Sequence, residues 1–171
     1  GGGNVAVDVA RTALRLGAGH VQLVSLEQRD EMPAYSDEVT ATLEEGIAIH
    51  NGWGPRRILG EINVESIELK RCIRIFDEKG RFNPVFDDDD LMTLKADHII
   101  VAIGQMIDDK IIEHLGVETD RGCIKADPVT LETSLEGVFA GGDAVSGAAS
   151  VIESVANGKR KVDSRGASSI A

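Results

Sequence analysis

The sequence has little of what several functional classes require, beginning with positive charge. Its 171 residues include 18 Lys and Arg against 29 Asp and Glu, which gives a net charge of -11. Nucleic acids and anionic membrane surfaces are bound through clustered cations, so we expect no nucleic-acid partner and no membrane partner. No apolar run approaches the roughly 20 residues that a membrane-spanning helix needs.

Cysteine, tyrosine and histidine are scarce as well. Cys72 and Cys123 form no C-x-x-C pair, which argues against a redox dithiol and a cysteine-ligated metal. The only tyrosine, Tyr35, is followed four residues later by Val39, so the Tyr-x-x-x-Lys proton relay of short-chain dehydrogenases is excluded. The four histidines are scattered along the chain. We therefore predict no metal site, and the low cysteine content favours a cytoplasmic setting.

Apolar periodicity predicts alternating helices and strands, with a change of pattern in the middle of the chain. The predicted helices cover residues 4–16, 36–46, about 108–115 and 149–158, with Ser36 as a candidate N-cap. The predicted strands cover residues 20–26, 47–50, 97–105 and 137–144, and 97–105 is expected to be buried on both faces. Residues 54–96 indicate hairpins instead. This order predicts a Rossmann-like α/β fold, a doubly wound parallel sheet with a small antiparallel insertion.

The predicted insertion contains an unusual acidic run, FDDDD at residues 86–90. We interpret this run as a solvated turn. A divalent-cation site is the alternative, but four consecutive aspartates lack the alternating spacing of an EF-hand loop.

The chain begins with GGGNVAVDVAR, a glycine-rich turn that runs directly into a helix. Gly1, Gly3 and Ala6 match the pattern G-x-G-x-x-A, in which glycines let the backbone approach a pyrophosphate and the helix N-terminus supplies amide donors. A glycine-rich turn without a ligand is the alternative. Such a turn normally follows a buried strand, so we expect that strand to lie outside the given sequence.

Glu27 ends the strand that is predicted after the first helix. A carboxylate at this place accepts both ribose hydroxyls of NAD and repels the 2′-phosphate of NADP, which favours NADH. Arg29, two residues further on, could serve a phosphate instead. An ordinary exposed charge at a strand end is the third interpretation of Glu27.

Several motifs in sequence order resemble the glutamate synthase small-subunit (β-chain) family of flavin-dependent pyridine nucleotide oxidoreductases. They are GGGNVAVDVARTALRLGA, EMPAYSDEVTATLEEG, NGWGPRRILG, GRFNPVF, ADHIIVAIGQ and TSLEGVFAGGDAVSGAASVIESVANGK. The resemblance covers Gly1 to about Lys159 and implies two interleaved dinucleotide-binding domains. Residues 1–104 would be the NAD(P)H-binding domain, with the antiparallel insertion at about 54–96, and residues 105–171 the C-terminal part of the FAD-binding domain. The first half of the FAD domain and an N-terminal region with [4Fe-4S] clusters would lie outside this chain.

The resemblance also implies roles for individual residues. It assigns the dinucleotide turn to Gly1, Gly2, Gly3, Asn4 and Val5. It assigns the choice between NAD and NADP to Glu27, Gln28 and Arg29, where many relatives carry arginines, and this departure supports NADH. It assigns the approach to nicotinamide and flavin to Ala102, Ile103, Gly104 and Gln105, and the FAD ribityl and phosphate contacts to Gly142, Asp143, Ala149 and Ser150.

The implied activity is hydride transfer from NADH or NADPH to FAD, with electrons passing through iron–sulfur centres to a larger electron-accepting subunit. Such a step needs no catalytic side chain, because the cofactors carry the chemistry. The isolated chain is expected to be inactive and could be a non-catalytic nucleotide-binding module or a structural domain. An exposed sheet edge would favour self-association.

Overall fold

The computed structural model describes residues 1–105, 107–120, 122–147 and 149–168. The chain divides into two compact units, Gly1–Gly104 and Gln105–Ala171. Both units combine helices with short strands, and the first contains a parallel and an antiparallel sheet. The predicted α/β fold with an antiparallel insertion is therefore confirmed.

The first unit begins with two helices packed on a parallel pair of strands. The elements are α1 (Asn4–Arg15), β1 (Gln22–Ser25), a 3-10 turn (Arg29–Glu31), α2 (Ser36–Glu44) and β2 (Ala48–Asn51). Strands β1 and β2 pair in parallel, with Leu23 opposite Ile49. Helix α1 packs against β1 and α2 through Ala6, Val7 and Ala10. The helix itself is predicted correctly, but the apolar stripe expected from Val5, Val9, Ala13 and Leu16 is not its buried face, since Val5 and Leu16 are exposed. The core residues are Ala6, Val7, Ala10, Leu23, Met32, Ala34, Val39 and Ile47.

A charged cluster joins α1 to the C-terminal end of α2. Arg11 donates to Glu45 from Nε at 2.9 Å and from Nη2 at 2.8 Å, and it also pairs with Glu38. Arg15 donates to the same Glu45 oxygen at 2.5 Å. The hydrogen bonds from Arg11 and then Arg15 hold the pKa of Glu45 below its usual value. This cluster fixes the helix whose N-terminus carries the glycine turn.

The antiparallel insertion follows β2 directly. Its strands β3 (Trp53–Leu59), β4 (Ser66–Phe76) and β5 (Phe82–Lys95) form a sheet in the order β3–β4–β5. Gly54 marks a close approach, since a Cβ there would lie 2.4 Å from the ring of Phe86 and 2.9 Å from Leu26. A larger residue at this position would push the insertion away from the end of β1.

The interpretation of FDDDD as a solvated turn is wrong, because residues 86–90 lie inside β5. Cross-strand ion pairs account for the difference. Lys70 contacts Asp88 at 3.1 Å, and the Nε of Arg71 contacts Asp90 at the same distance. Asp88, Asp89 and Asp90 have no ladder partner on β4, because the pairing steps from Arg71–Asp87 directly to Lys70–Leu91. They form a bulge of β5, and the ion pairs hold its exposed carboxylates against β4.

Two further local predictions are wrong. Residues 97–105 do not form a strand, since no strand in the described residues pairs with them, and a ladder partner is what defines a strand. Their side chains are not buried on both faces either: Ile100, Val101 and Ile103 are 64%, 71% and 78% exposed. Ser36 does not cap α2, because Tyr35 occupies the N-cap position and Ser36 is already helical.

The second unit has short elements. They are α3 (Asp109–Leu115), β6 (Thr119–Asp120), β7 (Cys123–Ile124), α4 (Asp143–Ser146) and α5 (Val151–Ser168). The strand predicted at 137–144 is wrong, since Phe139 forms only an isolated bridge with Glu132 and residue 143 already begins α4. The predicted last helix is confirmed and continues to Ser168. No helix in the described part of the chain is long and apolar enough to cross a membrane.

Candidate functional site

The glycine turn is packed tightly between the ends of other segments. A Cβ on Gly1 would lie 1.8 Å from the carbonyl oxygen of Ala102, and one on Gly2 would lie 2.5 Å from the Glu27 carboxylate. A Cβ on Gly3 would meet nothing within 4 Å. Close approach to backbone therefore requires glycine at the first position, whereas at the second a side chain would displace the Glu27 carboxylate. The turn, the end of β1 and residue 102 lie together.

The N-terminus of α1 has no side-chain cap. Gly3 is the N-cap residue in an extended conformation, and its carbonyl accepts the N–H groups of Ala6 and Val7. The side chain of Asn4 is used elsewhere, since its Oδ1 accepts the Tyr35 N–H at 2.9 Å. Uncapped amides and the positive end of the helix dipole make this terminus suited to an anion.

Glu27 follows β1 with a fixed backbone and an available carboxylate. Its carbonyl oxygen accepts the Gly52 N–H and the Asn51 side-chain amide, each at 3.1 Å, and the Ser25 hydroxyl at 3.0 Å. Its half-buried carboxylate forms no hydrogen bond or ion pair with the residues that the structure describes. The charge of the Gly1 amino group acts on this carboxylate. A carboxylate held beside the turn without a hydrogen bond is suited to accept hydroxyl groups of a ligand.

Gln28 and Arg29 continue from Glu27 along the surface. The Gln28 N–H donates to Glu31 at 3.2 Å, which caps the 3-10 turn that begins at Arg29. Arg29 is exposed, has no ion-pair partner in the described residues and lines a cavity of about 180 Å³ together with Met32 and Thr40. Both residues are therefore placed next to the Glu27 position.

The insertion contributes residues that the sequence patterns miss. A Cβ on Gly52 would lie 2.7 Å from the Gln28 Nε2 and 3.4 Å from the Arg71 Nη1, so both side chains crowd the same side of Gly52. The Arg71 guanidinium also lies 3.8 Å from the centre of the Trp53 ring. Arg71 is more than 40 residues from Gln28 in sequence. Only the register of β3 against β4, with Trp53 opposite Arg71, brings them together.

The candidates after residue 102 lie where the first unit ends in sequence. Ile103 is exposed, and Gly104 has a φ of +96°, a conformation that favours glycine. Ile103 and Gly104 belong to the first unit and Gln105 to the second. Their assignment to the nicotinamide and flavin stays a prediction.

The remaining candidates gather at the N-terminus of α5 within the second unit. Gly142 has a φ of +66°, and the Oδ1 of Asp143 accepts the Ala149 N–H at 3.3 Å. The Ser150 N–H and hydroxyl both donate to Glu153 at 2.8 Å, which lowers the pKa of that carboxyl. An anion at this terminus would therefore compete with the Glu153 carboxylate for the Ser150 amide.

Metal ligands are not gathered anywhere in the described part of the chain. No group of three or more His, Cys, Asp or Glu side chains there could hold a metal ion, and this includes the acidic run of β5. Cys72 is buried, and burial raises the pKa of its thiol. The groups available for chemistry are thus hydrogen-bond donors and acceptors.

Comparison with known proteins is consistent with this geometry. The family model described as pyridine nucleotide-disulphide oxidoreductase matches residues 1–161. The chain is 42% identical to the NADP(+)-dependent formate dehydrogenase subunit beta of Moorella thermoacetica, over 94% of this chain and 23% of that protein. It is 34% identical to the glutamate synthase [NADPH] small chain of Halomonas elongata, over 94% of this chain and 35% of that protein. The chain thus spans between 23% and 35% of the length of these relatives.

A solved structure has the same fold. The thioredoxin reductase of T. acidophilum aligns with a TM-score of 0.78 at 20% identity, covering 100% of this chain and 51% of that one. This confirms the Rossmann-like architecture. The chain belongs to the pyridine nucleotide-disulphide oxidoreductase family.

Proposed function

We propose that residues 1–104 form the NAD(P)H-binding domain of a flavin-dependent oxidoreductase and that residues 105–171 are the C-terminal part of its FAD-binding domain. One observation carries the proposal: the unpartnered Glu27 carboxylate lies beside Gly2, at the uncapped N-terminus of α1. A group that offers a pyrophosphate and a neighbouring pair of hydroxyls would satisfy both features together.

The residues of the turn would hold the two ends of an adenosine diphosphate moiety. The backbone N–H groups around Gly3, Asn4 and Val5 would donate to the pyrophosphate, and the glycines leave room for it. Glu27 would accept the ribose hydroxyls, with its backbone fixed by Asn51 and Gly52. The site needs no rearrangement of β1 to do so.

We propose that NADH is preferred over NADPH. The formate dehydrogenase and glutamate synthase subunits described above are named for NADP(+) and NADPH. In this chain, however, Glu27 would face the 2′-position, where a carboxylate repels a phosphate. The Arg29 guanidinium would instead attract the 2′-phosphate and so favour NADPH.

Hydride transfer from nicotinamide to flavin is the chemistry that the two cofactors supply when bound. The chain's own task is to bind, orient and exclude water, with no side chain as nucleophile or base. In the second unit Gly142 would allow close approach to the FAD. Asp143, with one oxygen held by the Ala149 N–H, would have its other oxygen available for a ribityl hydroxyl.

In the parent enzyme we propose that electrons continue through [4Fe-4S] clusters to a larger electron-accepting subunit, as the resemblance to glutamate synthase small subunits implies. The 171-residue chain by itself would bind a nicotinamide nucleotide and remain inactive as an oxidoreductase.

Calorimetric titration of the purified chain with NADH and, separately, NADPH tests the proposal. We expect NADH to bind about tenfold more tightly, which corresponds to about 1.4 kcal/mol. Preference for NADPH would overturn the role of Glu27 while keeping the binding domain. Binding of neither nucleotide would overturn the assignment of residues 1–104. Bound flavin with NADH oxidation would contradict the inactivity of the isolated chain.

A further inference from the structure

The antiparallel insertion brings a charged pair to the ribose end of the candidate site. On the side of Glu27 away from Gly2, the chain continues into Gln28, whose side chain lies over Gly52 next to Arg71. A 2′-phosphate on a ribose held by Glu27 would approach Arg71 if it extended past Gln28, because the Arg71 guanidinium lies against the same side of Gly52 as the Gln28 side chain.

Arg71 is held in one orientation. Its guanidinium stacks on Trp53 at 3.8 Å, and its Nε donates to Asp90 at 3.1 Å. A planar guanidinium fixed in this way is suited to bidentate contact with a phosphate. Its charge, however, is already balanced by Asp90, and a second acidic residue, Asp87, is its ladder partner on β5. A 2′-phosphate that reached Arg71 would therefore meet a neutralised cation and an acidic strand.

We propose that the Arg71–Asp90 ion pair is a specificity determinant that disfavours NADPH, because Asp90 occupies the guanidinium that would otherwise bind the 2′-phosphate. The inference rests on the proposed function and gives a role to the acidic run of β5. Asp90 acts through Arg71 and is a positioning residue. Arg29 has no ion-pair partner among the described residues. Any attraction between Arg29 and the 2′-phosphate of NADPH should therefore be the same whether Asp90 is charged or neutral.

The test is calorimetric titration of the 171-residue chain and its D90N variant with NADH and NADPH. Asparagine keeps the shape of Asp90 and removes its charge, so we expect the NADPH-to-NADH affinity ratio to rise about threefold to fivefold, the upper part of the range for one partly exposed charged contact. The matched control is D88N, which removes the same charge from the same strand but frees Lys70 instead. The D88N substitution should change the NADPH-to-NADH affinity ratio by no more than about twofold relative to the unsubstituted chain.

A second substitution tests whether NADPH affinity rises because Arg71 loses its ion pair with Asp90, or only because the chain has one negative charge fewer. In the D90N background, Arg71→Ala should remove the gain for NADPH, whereas in the unsubstituted chain R71A should alter the ratio little. D90S repeats the loss of charge if D90N folds poorly by thermal melting. An unchanged ratio in both Asp90 variants, or an equal rise in D88N, would overturn the inference and leave the proposed function intact. Failure of the unsubstituted chain to bind either nucleotide would overturn both.

Discussion

Replacing Glu27 by glutamine is the most informative single perturbation of the candidate site. The carboxylate lies beside Gly2 and has no partner in the described part of the chain, so its removal costs no internal hydrogen bond. Hydrogen bonds to charged groups contribute about 1.5–3 kcal/mol each. Because Glu27 is half-exposed, we take the lower half of that range for its contacts with two ribose hydroxyls. Taken for both contacts together, the expected loss is about 1.5–2.3 kcal/mol, or roughly tenfold to fiftyfold in NADH affinity.

The effect of E27Q on NADPH separates a ribose contact from a structural role. Glutamine removes the negative charge that would face the 2′-phosphate, so NADPH affinity should stay the same or increase. Titration calorimetry measures both affinities, and D30N is the matched control for loss of one acidic charge on the adjoining segment. Thermal unfolding of E27Q should resemble that of the unsubstituted chain within about 0.5 kcal/mol. Equal weakening of both nucleotides, or no change in either, would refute the role of Glu27.

Three predictions concern stability. G54A places a Cβ 2.4 Å from the Phe86 ring and should destabilise the first unit by about 1–3 kcal/mol in chemical denaturation; an unchanged midpoint would contradict the tight packing. E45Q should destabilise the chain at neutral pH by weakening the contact with Arg11. The advantage of the unsubstituted chain is full above the usual carboxyl pKa of 4.5 and disappears as the pH falls through the lowered pKa, as melting at several pH values would show. S150A removes a cap of α5 and should cost about 1 kcal/mol, seen as faster amide exchange in its first turn.

The elements that the sequence predicts correctly are those whose periodicity and partners are local. Helix α1 and strands β1 and β2 are predicted from helical spacing and short apolar runs, although the side of α1 that is buried is that of Ala6, Val7 and Ala10 and not the expected one. Residues 97–105 have the same apolar composition but no paired strand in the described residues. Apolar composition therefore predicts the tendency of a segment to form a strand, while the ladder depends on its neighbours.

The acidic run shows the same limit for charge. Composition alone favours a turn for Asp87–Asp90, because aspartate is disfavoured in strands. Of these four aspartates, however, only Asp87 has a ladder partner on β4, and the next three form a bulge of β5 that brings two of them within 3.1 Å of Lys70 and Arg71. The sequence of the acidic run alone does not predict these ion pairs, because they depend on how β5 pairs with β4.

For the candidate site, the sequence predicts the position of those residues that lie within one known motif, the glycine turn with the following helix and strand. The proximity of Gly2 to Glu27 follows from the order turn, helix, strand, in which the strand end returns to the turn. Arg71 and Trp53 depend on the long-range pairing of β3 with β4, so no local pattern reveals them. The roles of both groups stay predictions until a nucleotide is bound.

The central claim is that the first unit binds a nicotinamide dinucleotide at the glycine turn. The most direct measurement is amide NMR of the 18.2 kDa chain during titration with NADH, which reports on each backbone N–H separately. The largest shifts should occur at Gly2, Gly3, Asn4 and Val5, with smaller ones at Glu27 and Gly52. Shifts absent from the turn, or concentrated in the second unit, would contradict the claim.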